Sequence, residues 1–113
     1  MKPITIPMPS DAKLEYWREL TDANQHTPVR VCICEWMLRS LRSLGNDTRD
    51  FNRTYIHPFV RLHRTLAAME HLEYEIGHTP REFSDLRLQM SHQLLDAIRK
   101  LNPDVADAIR KTL

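Results

Sequence analysis

The chain has 113 residues, of which 27% are charged, and its formal net charge is +1. This length is typical of one domain that buries a core without metal or disulfide crosslinks, and near neutrality is unlike the basic composition of most nucleic-acid-binding domains. No apolar run is long enough to cross a membrane. Pro3, Pro7 and Pro9 stand where a signal peptide would have its apolar segment, so we expect a cytoplasmic protein.

Motifs for catalysis and cofactor binding are missing from the sequence. Its two glycines, Gly45 and Gly77, are too far apart for a phosphate-binding loop, and no serine lies in a nucleophile elbow. We therefore expect neither an enzyme nor a bound cofactor.

Residues 1–9 predict an extended N-terminal arm, followed by a single α-helical domain over residues 10–113. The repeated prolines prevent a helix, while Ile4, Ile6 and Met8 alternate with the period of an extended strand. Because these three side chains would otherwise be exposed, we expect the arm to contact a neighbouring subunit or partner.

Two helices are predicted in the first half of the domain. Ser10 caps a first helix over about Asp11–Ala23, and the second spans Pro28–Leu44 after Thr27 as its predicted cap. Apolar residues cover most of the second helix, which makes it the predicted central helix. The β-branched content of Val29–Cys34 leaves a short strand as an alternative there. A polar connection from Gly45 to Asn52 follows.

The second half predicts a helical hairpin and a short last helix. Apolar residues repeat at three- and four-residue steps over Pro58–Ile76, and a fourth helix begins at Pro80 after a predicted capping box of Thr79 and Glu82. Asn102-Pro103 opens the last helix. The predicted fold is therefore all-α, with four main helices, a short C-terminal helix and the N-terminal arm.

Charge is distributed unevenly along the chain. Seven arginines against three carboxylates give residues 29–66 a net charge of +4, whereas five carboxylates against one arginine give residues 67–86 a net charge of −4. The arginine-rich segment is a candidate phosphate-binding surface. Its candidate contacts are Arg49 and Arg53, expected on an irregular loop, and Arg61 and Arg64.

Two weaker patterns involve histidine and cysteine. His71, Glu75 and His78 lie near the end of the third helix, but His78 lies beyond Gly77, outside helical geometry, so surface histidines are the favoured interpretation and we expect no metal site. Cys32 and Cys34 lie about 200° apart on a helix and cannot share a metal or a disulfide there.

The spacings from Arg87 to His92 and from Arg64 to His71 resemble the arginine–histidine motif of the HEPN ribonucleases, which are helical domains. The resemblance implies an RNA-cleaving activity. In a regular helix, however, Arg87 and His92 diverge by about 140°. Ribonuclease activity is therefore the remote alternative.

Arg87 also lies within the apolar face of the fourth helix, where a charge needs a partner. Folding the third and fourth helices into a hairpin brings Arg87 level with Glu70 and Glu73, so we expect a structural ion pair with one of them.

The favoured function is a non-enzymatic protein-interaction module that forms a homodimer, since a helix as apolar as Pro28–Leu44 would leave part of its surface uncovered in so small a chain. The alternative is a nucleic-acid-binding protein that uses the arginines of residues 30–64.

Overall fold

The computed structural model describes residues 4–113, which form α-helices and no strand. The elements are α1 (Asp11–Asp22), α2 (His26–Arg42), α3 (Arg49–Phe51), a π-helical turn (Asn52–Ile56), α4 (His57–Ile76), α5 (Arg81–Leu101) and α6 (Pro103–Arg110). Because α3, the π turn and α4 follow one another without a break, they make one continuous helix. The all-α prediction of four main helices and a short C-terminal helix is confirmed.

Helix α2 is the central helix, as predicted, and it packs against α1, α4 and α5. Val29, Ile33 and Cys34 are fully buried within it, so the alternative of a strand over Val29–Cys34 is wrong. Helices α2 and α4 run antiparallel, because Thr27 and Glu35 of α2 contact Glu73 and His63 of α4. The apolar circumference of α2 is thus covered by this chain's own helices.

Two predicted helix starts are confirmed by their capping bonds. The Lys13 amide donates to Ser10 Oγ (3.1 Å) at the start of α1, and the Asp104 amide donates to Asn102 Oδ1 (3.1 Å) at the start of α6. Gly77 ends α4 with a left-handed φ of 76°, a conformation that glycine adopts with less steric strain than other residues because it has no Cβ.

The threonines at positions 27 and 79 do not cap helices, contrary to the prediction. Helix α2 begins at His26, so Thr27 lies inside it, and α5 begins at Arg81 after Pro80, with no side-chain cap. Both hydroxyls donate instead to Glu73, from Thr27 at 2.7 Å and from Thr79 at 3.4 Å. A hydrogen bond to a charged carboxylate is stronger than one between neutral groups, so Glu73 fixes the orientation of both threonine side chains.

The third main helix begins nine residues before Pro58, where the sequence predicts a polar connection. Pro58 has no N–H and its ring crowds the preceding turn, which ordinarily breaks a helix. Here the turn before it is a π turn, in which the His57 amide donates to the Asn52 carbonyl five residues back. The wider turn accommodates the proline, so the helix continues from Arg49.

The N-terminal arm packs on its own chain. Ile6 is fully buried in the core, Ile4 packs partly against it, and Asn102 Nδ2 donates to the Ile6 carbonyl (2.9 Å). The prediction of a partner contact assumed that these side chains were exposed; that assumption holds for Met8, which is 46% exposed, and fails for Ile6. The first three residues of the arm lie outside the described residues.

Candidate nucleic-acid interface

Two adjoining grooves lie where the C-terminal end of α2 meets the first turns of α4. Their volumes are about 860 Å³ and 450 Å³. Arg42, Val60 and Arg64 line both grooves, Arg61 lines the larger one, and Arg39 lines the smaller one. We call Arg39, Arg42, Arg61 and Arg64 the arginine surface.

Local helix geometry explains how these arginines come together. Arg39 and Arg42 lie three residues apart in the last turn of α2, and Arg61 and Arg64 have the same spacing on α4, so each pair shares a helix face. A helix C-terminus also favours cations, because its unpaired carbonyls carry partial negative charge. The antiparallel packing of α2 and α4 then places the two pairs side by side.

The arginine surface is exposed and has no ion pair within residues 4–113. The carboxylates close to it have other partners: Glu35 Oε1 lies 3.3 Å from His63 Nε2, and Asp47 Oδ1 accepts from Asn52 Nδ2 at 3.0 Å. The guanidinium groups therefore keep their donors free for an anion.

Arg39 and Arg42 belong to the arginine-rich segment, but sequence reasoning did not name them among its candidate contacts. Glu35 precedes Arg39 by four residues, which favours a pair within the helix. The structure instead turns Glu35 to His63 on α4, which leaves Arg39 free. The three-residue spacing of the two arginines was a signal for a shared face, but only the packing of α4 gives that face a partner.

Arg49 and Arg53 are exposed but line neither groove. The expectation that an irregular loop carries them is wrong, since Arg49 lies in α3 and Arg53 in the π turn. Of the four predicted contacts, Arg61 and Arg64 lie on the arginine surface, and Arg49 and Arg53 lie outside it.

A second polar cluster joins α2, α4 and α5 near the other end of α2. Arg87 Nη1 lies 3.5 Å from Glu73 Oε1 and donates to Thr27 Oγ1 at 3.3 Å, so the expected ion pair forms with Glu73 and not with Glu70. Arg30 Nε donates to Ser91 Oγ at 2.6 Å. Burial, reinforced by the Arg87 charge, lowers the pKa of Arg30 to about 10.

The cluster is internally satisfied, because no buried side-chain nitrogen or oxygen within residues 4–113 lacks a hydrogen-bond partner. The cluster also pairs Arg87 with Glu73, whereas the HEPN resemblance implied that Arg87 acts together with His92. Arg87 is mostly buried against Glu73, whereas His92 is exposed on α5. No hydrogen bond in the described chain joins Arg87 to His92, or Arg64 to His71.

The histidines near the end of α4 lie at the surface. His71 Nε2 is 3.8 Å from Glu75 Oε1, and both side chains are largely exposed. Residues 4–113 contain no group of three or more histidine, cysteine, aspartate or glutamate side chains placed to hold a metal ion.

Comparison with known proteins gives no relative. No protein family matches the chain, and no curated protein or solved structure is significantly similar to it. Within the described residues, no helix combines the length and apolar character needed to span a membrane.

Proposed function

We propose that this protein binds the phosphate backbone of nucleic acid through Arg39, Arg42, Arg61 and Arg64. The observation that carries the proposal is that these four exposed arginines line adjoining grooves without an ion pair in the described chain. Guanidinium groups match phosphate oxygens in charge and geometry. The near-neutral total charge does not oppose this function, because the carboxylates of residues 67–86 line neither groove.

The test compares two double substitutions that change the net charge equally. We expect Arg61→Gln with Arg64→Gln to weaken binding of a fluorescein-labelled oligonucleotide at low salt by roughly tenfold, measured by fluorescence anisotropy. The control is Arg81→Gln with Arg110→Gln, which removes two exposed arginines outside the grooves. Equal losses in both variants would contradict the proposal, as would the absence of binding by the unmodified protein.

The double variant Arg49→Ala with Arg53→Ala should have an effect between those of the groove variant and the control. These arginines are exposed and lie two residues from Phe51, which lines the larger groove, but they line neither groove themselves. We expect a smaller loss of affinity than for the Arg61 and Arg64 variant, without a dependence on sequence, because the contacts are made to phosphates.

A second candidate function is self-association through the hairpin end of α4. Leu72 and Ile76, one turn apart, are 48% and 47% exposed, although their spacing continues the apolar face of that helix. Exposed carboxylates such as Glu75, Glu82 and Asp85 occur around them in sequence, and they would complement the arginine surface of a second copy.

Sedimentation equilibrium tests this second candidate. Leu72→Ser with Ile76→Ser is expected to shift a dimer towards monomer, whereas Leu88→Ser, at a residue 58% exposed on α5, is expected to leave it unchanged. A monomeric unmodified protein at all accessible concentrations would exclude the candidate.

A further inference from the structure

The larger groove is a concave site with an apolar interior and a cationic rim. Phe51, Ile56 and Val60 contribute apolar lining, Arg42, Arg61 and Arg64 contribute positive charge, and Asp47, which accepts from Asn52, is the one carboxylate of the lining in the described chain. Phe51 and Ile56 are themselves nearly fully buried, whereas Val60 is only half-buried. A volume of about 860 Å³ lies within the range of sites that enclose a small organic ligand.

We propose that this groove binds an unpaired strand, with a base inserted against Val60 and the adjoining phosphates on the arginines. The inference rests on the proposed function, because it assumes that the partner is a nucleic acid. It adds that the partner is single-stranded.

The lining favours a single strand over a duplex. A duplex presents phosphates on its outside and keeps its bases stacked, so it would contact the arginine rim and leave the apolar interior empty. An unpaired strand can turn a base out of the stack and place it on an apolar or guanidinium surface. Only the unpaired strand therefore satisfies both parts of the groove at once.

The groove also contains polar groups that suit a base edge. Asn46 lines it, and Asn52 lines it with its amide nitrogen already donating to Asp47 at 3.0 Å. That bond fixes the Asn52 side chain, so its carbonyl oxygen is presented as an acceptor.

The first experiment compares a fluorescein-labelled single strand with the duplex of the same sequence at low salt. We expect the unmodified protein to bind the single strand about tenfold more tightly. Duplex binding that is equal or tighter would overturn this inference and leave the proposed function in place. Absence of binding to either would overturn both.

The second experiment removes the apolar surface of the groove without changing charge. Val60→Ser is expected to weaken single-strand binding roughly fivefold and to change duplex binding little, because the inserted base loses its apolar contact. The control is Leu88→Ser, which removes an exposed apolar side chain of α5 outside the groove. If Val60→Ser fails to fold by circular dichroism, Val60→Ala removes part of the same apolar surface. Unchanged single-strand affinity in the folded groove variant, or an equal loss in the control, would overturn the inference.

Discussion

The Arg87–Glu73 ion pair is largely removed from water, with side-chain exposures of 13% and 17%. We expect Arg87→Met to lower the free energy of unfolding by about 3 kcal/mol, because it leaves the Glu73 carboxylate buried without its cation. Arg18→Met is the control, since its pair with Glu15 is more than half exposed and is worth at most about 1 kcal/mol. Urea denaturation measures both. Similar losses in the two variants would contradict a special role for burial.

The two cysteine thiols differ in environment although one residue separates them. Cys34 is fully buried, and burial, with a smaller effect of the Glu35 charge, raises its pKa to about 12. Cys32 is only partly buried, and burial raises its pKa as well. Since the thiolate is the reactive form, we expect iodoacetamide to modify Cys32 first and Cys34 only after unfolding. Peptide mass spectrometry distinguishes the sites, and equal rates in the native protein would refute this order.

His26 gives stability a pH dependence. Burial lowers its pKa below 6.5, the charges of Arg30 and Arg87 lower it further, and Glu73 partly opposes them. The unfolded chain therefore binds the proton more readily, so this contribution to stability is complete above the unfolded pKa and is lost as the pH falls below it.

We expect His26→Gln to reduce the loss of unfolding free energy between about pH 7.5 and pH 5. His92→Gln, at an exposed position of α5, is the control. An unchanged or steeper acid loss in the His26 variant would show that this histidine is not the group responsible.

At the scale of secondary-structure elements, residues 4–9 of the N-terminal arm pack as part of the fold. Ile6 fills the core, so Ile6→Ala is expected to reduce the free energy of unfolding by about 2–4 kcal/mol. Met8→Ala, at a residue 46% exposed, is expected to cost less than about 0.5 kcal/mol. Chemical denaturation compares the two. A loss below 1 kcal/mol for Ile6→Ala would mean that the arm contributes little to the core.

Helix types and their order were predictable from the sequence, whereas several helix boundaries were not. Apolar periodicity identified α2, α4 and α5, and Ser10 and Asn102 gave correct starts because their capping bonds are local. Thr27 and Thr79 satisfied the same local rule, yet both hydroxyls bond to Glu73 from another element. A capping rule that considers only neighbouring residues cannot predict hydrogen bonds to Glu73.

The candidate site, like the helix boundaries, was predictable from the sequence only in part. Arg61 and Arg64 share a face by spacing alone, and they were identified. Arg39 and Arg42 join them only through the antiparallel packing of α2 on α4, and Arg49 and Arg53 were misplaced because the π turn before Pro58 extends the helix. A sequence shows which residues share one helix face, but it does not show which faces of different helices adjoin.

For the whole molecule, charge separation explains how a chain of net charge +1 can have a basic surface. Salt screens exposed charges over about 10 Å at 0.1 M, and the molecule is 46 Å long. A partner on the arginine surface is therefore influenced mainly by the charges near it. Total charge is a poor guide to binding at this surface.

The salt dependence of binding tests this local view of charge. Each phosphate contact with a single strand contributes about 0.7 to the slope of log affinity against log salt, so four arginine contacts predict a slope of about −2.8. Removing Arg61 and Arg64 should flatten the slope by about 1.4, whereas removing Arg81 and Arg110 should leave it unchanged although the net charge falls equally. Anisotropy titrations at several salt concentrations give both slopes. If the two variants flatten the slope to the same extent, the protein responds to its total charge, and the arginine surface has no special part in binding.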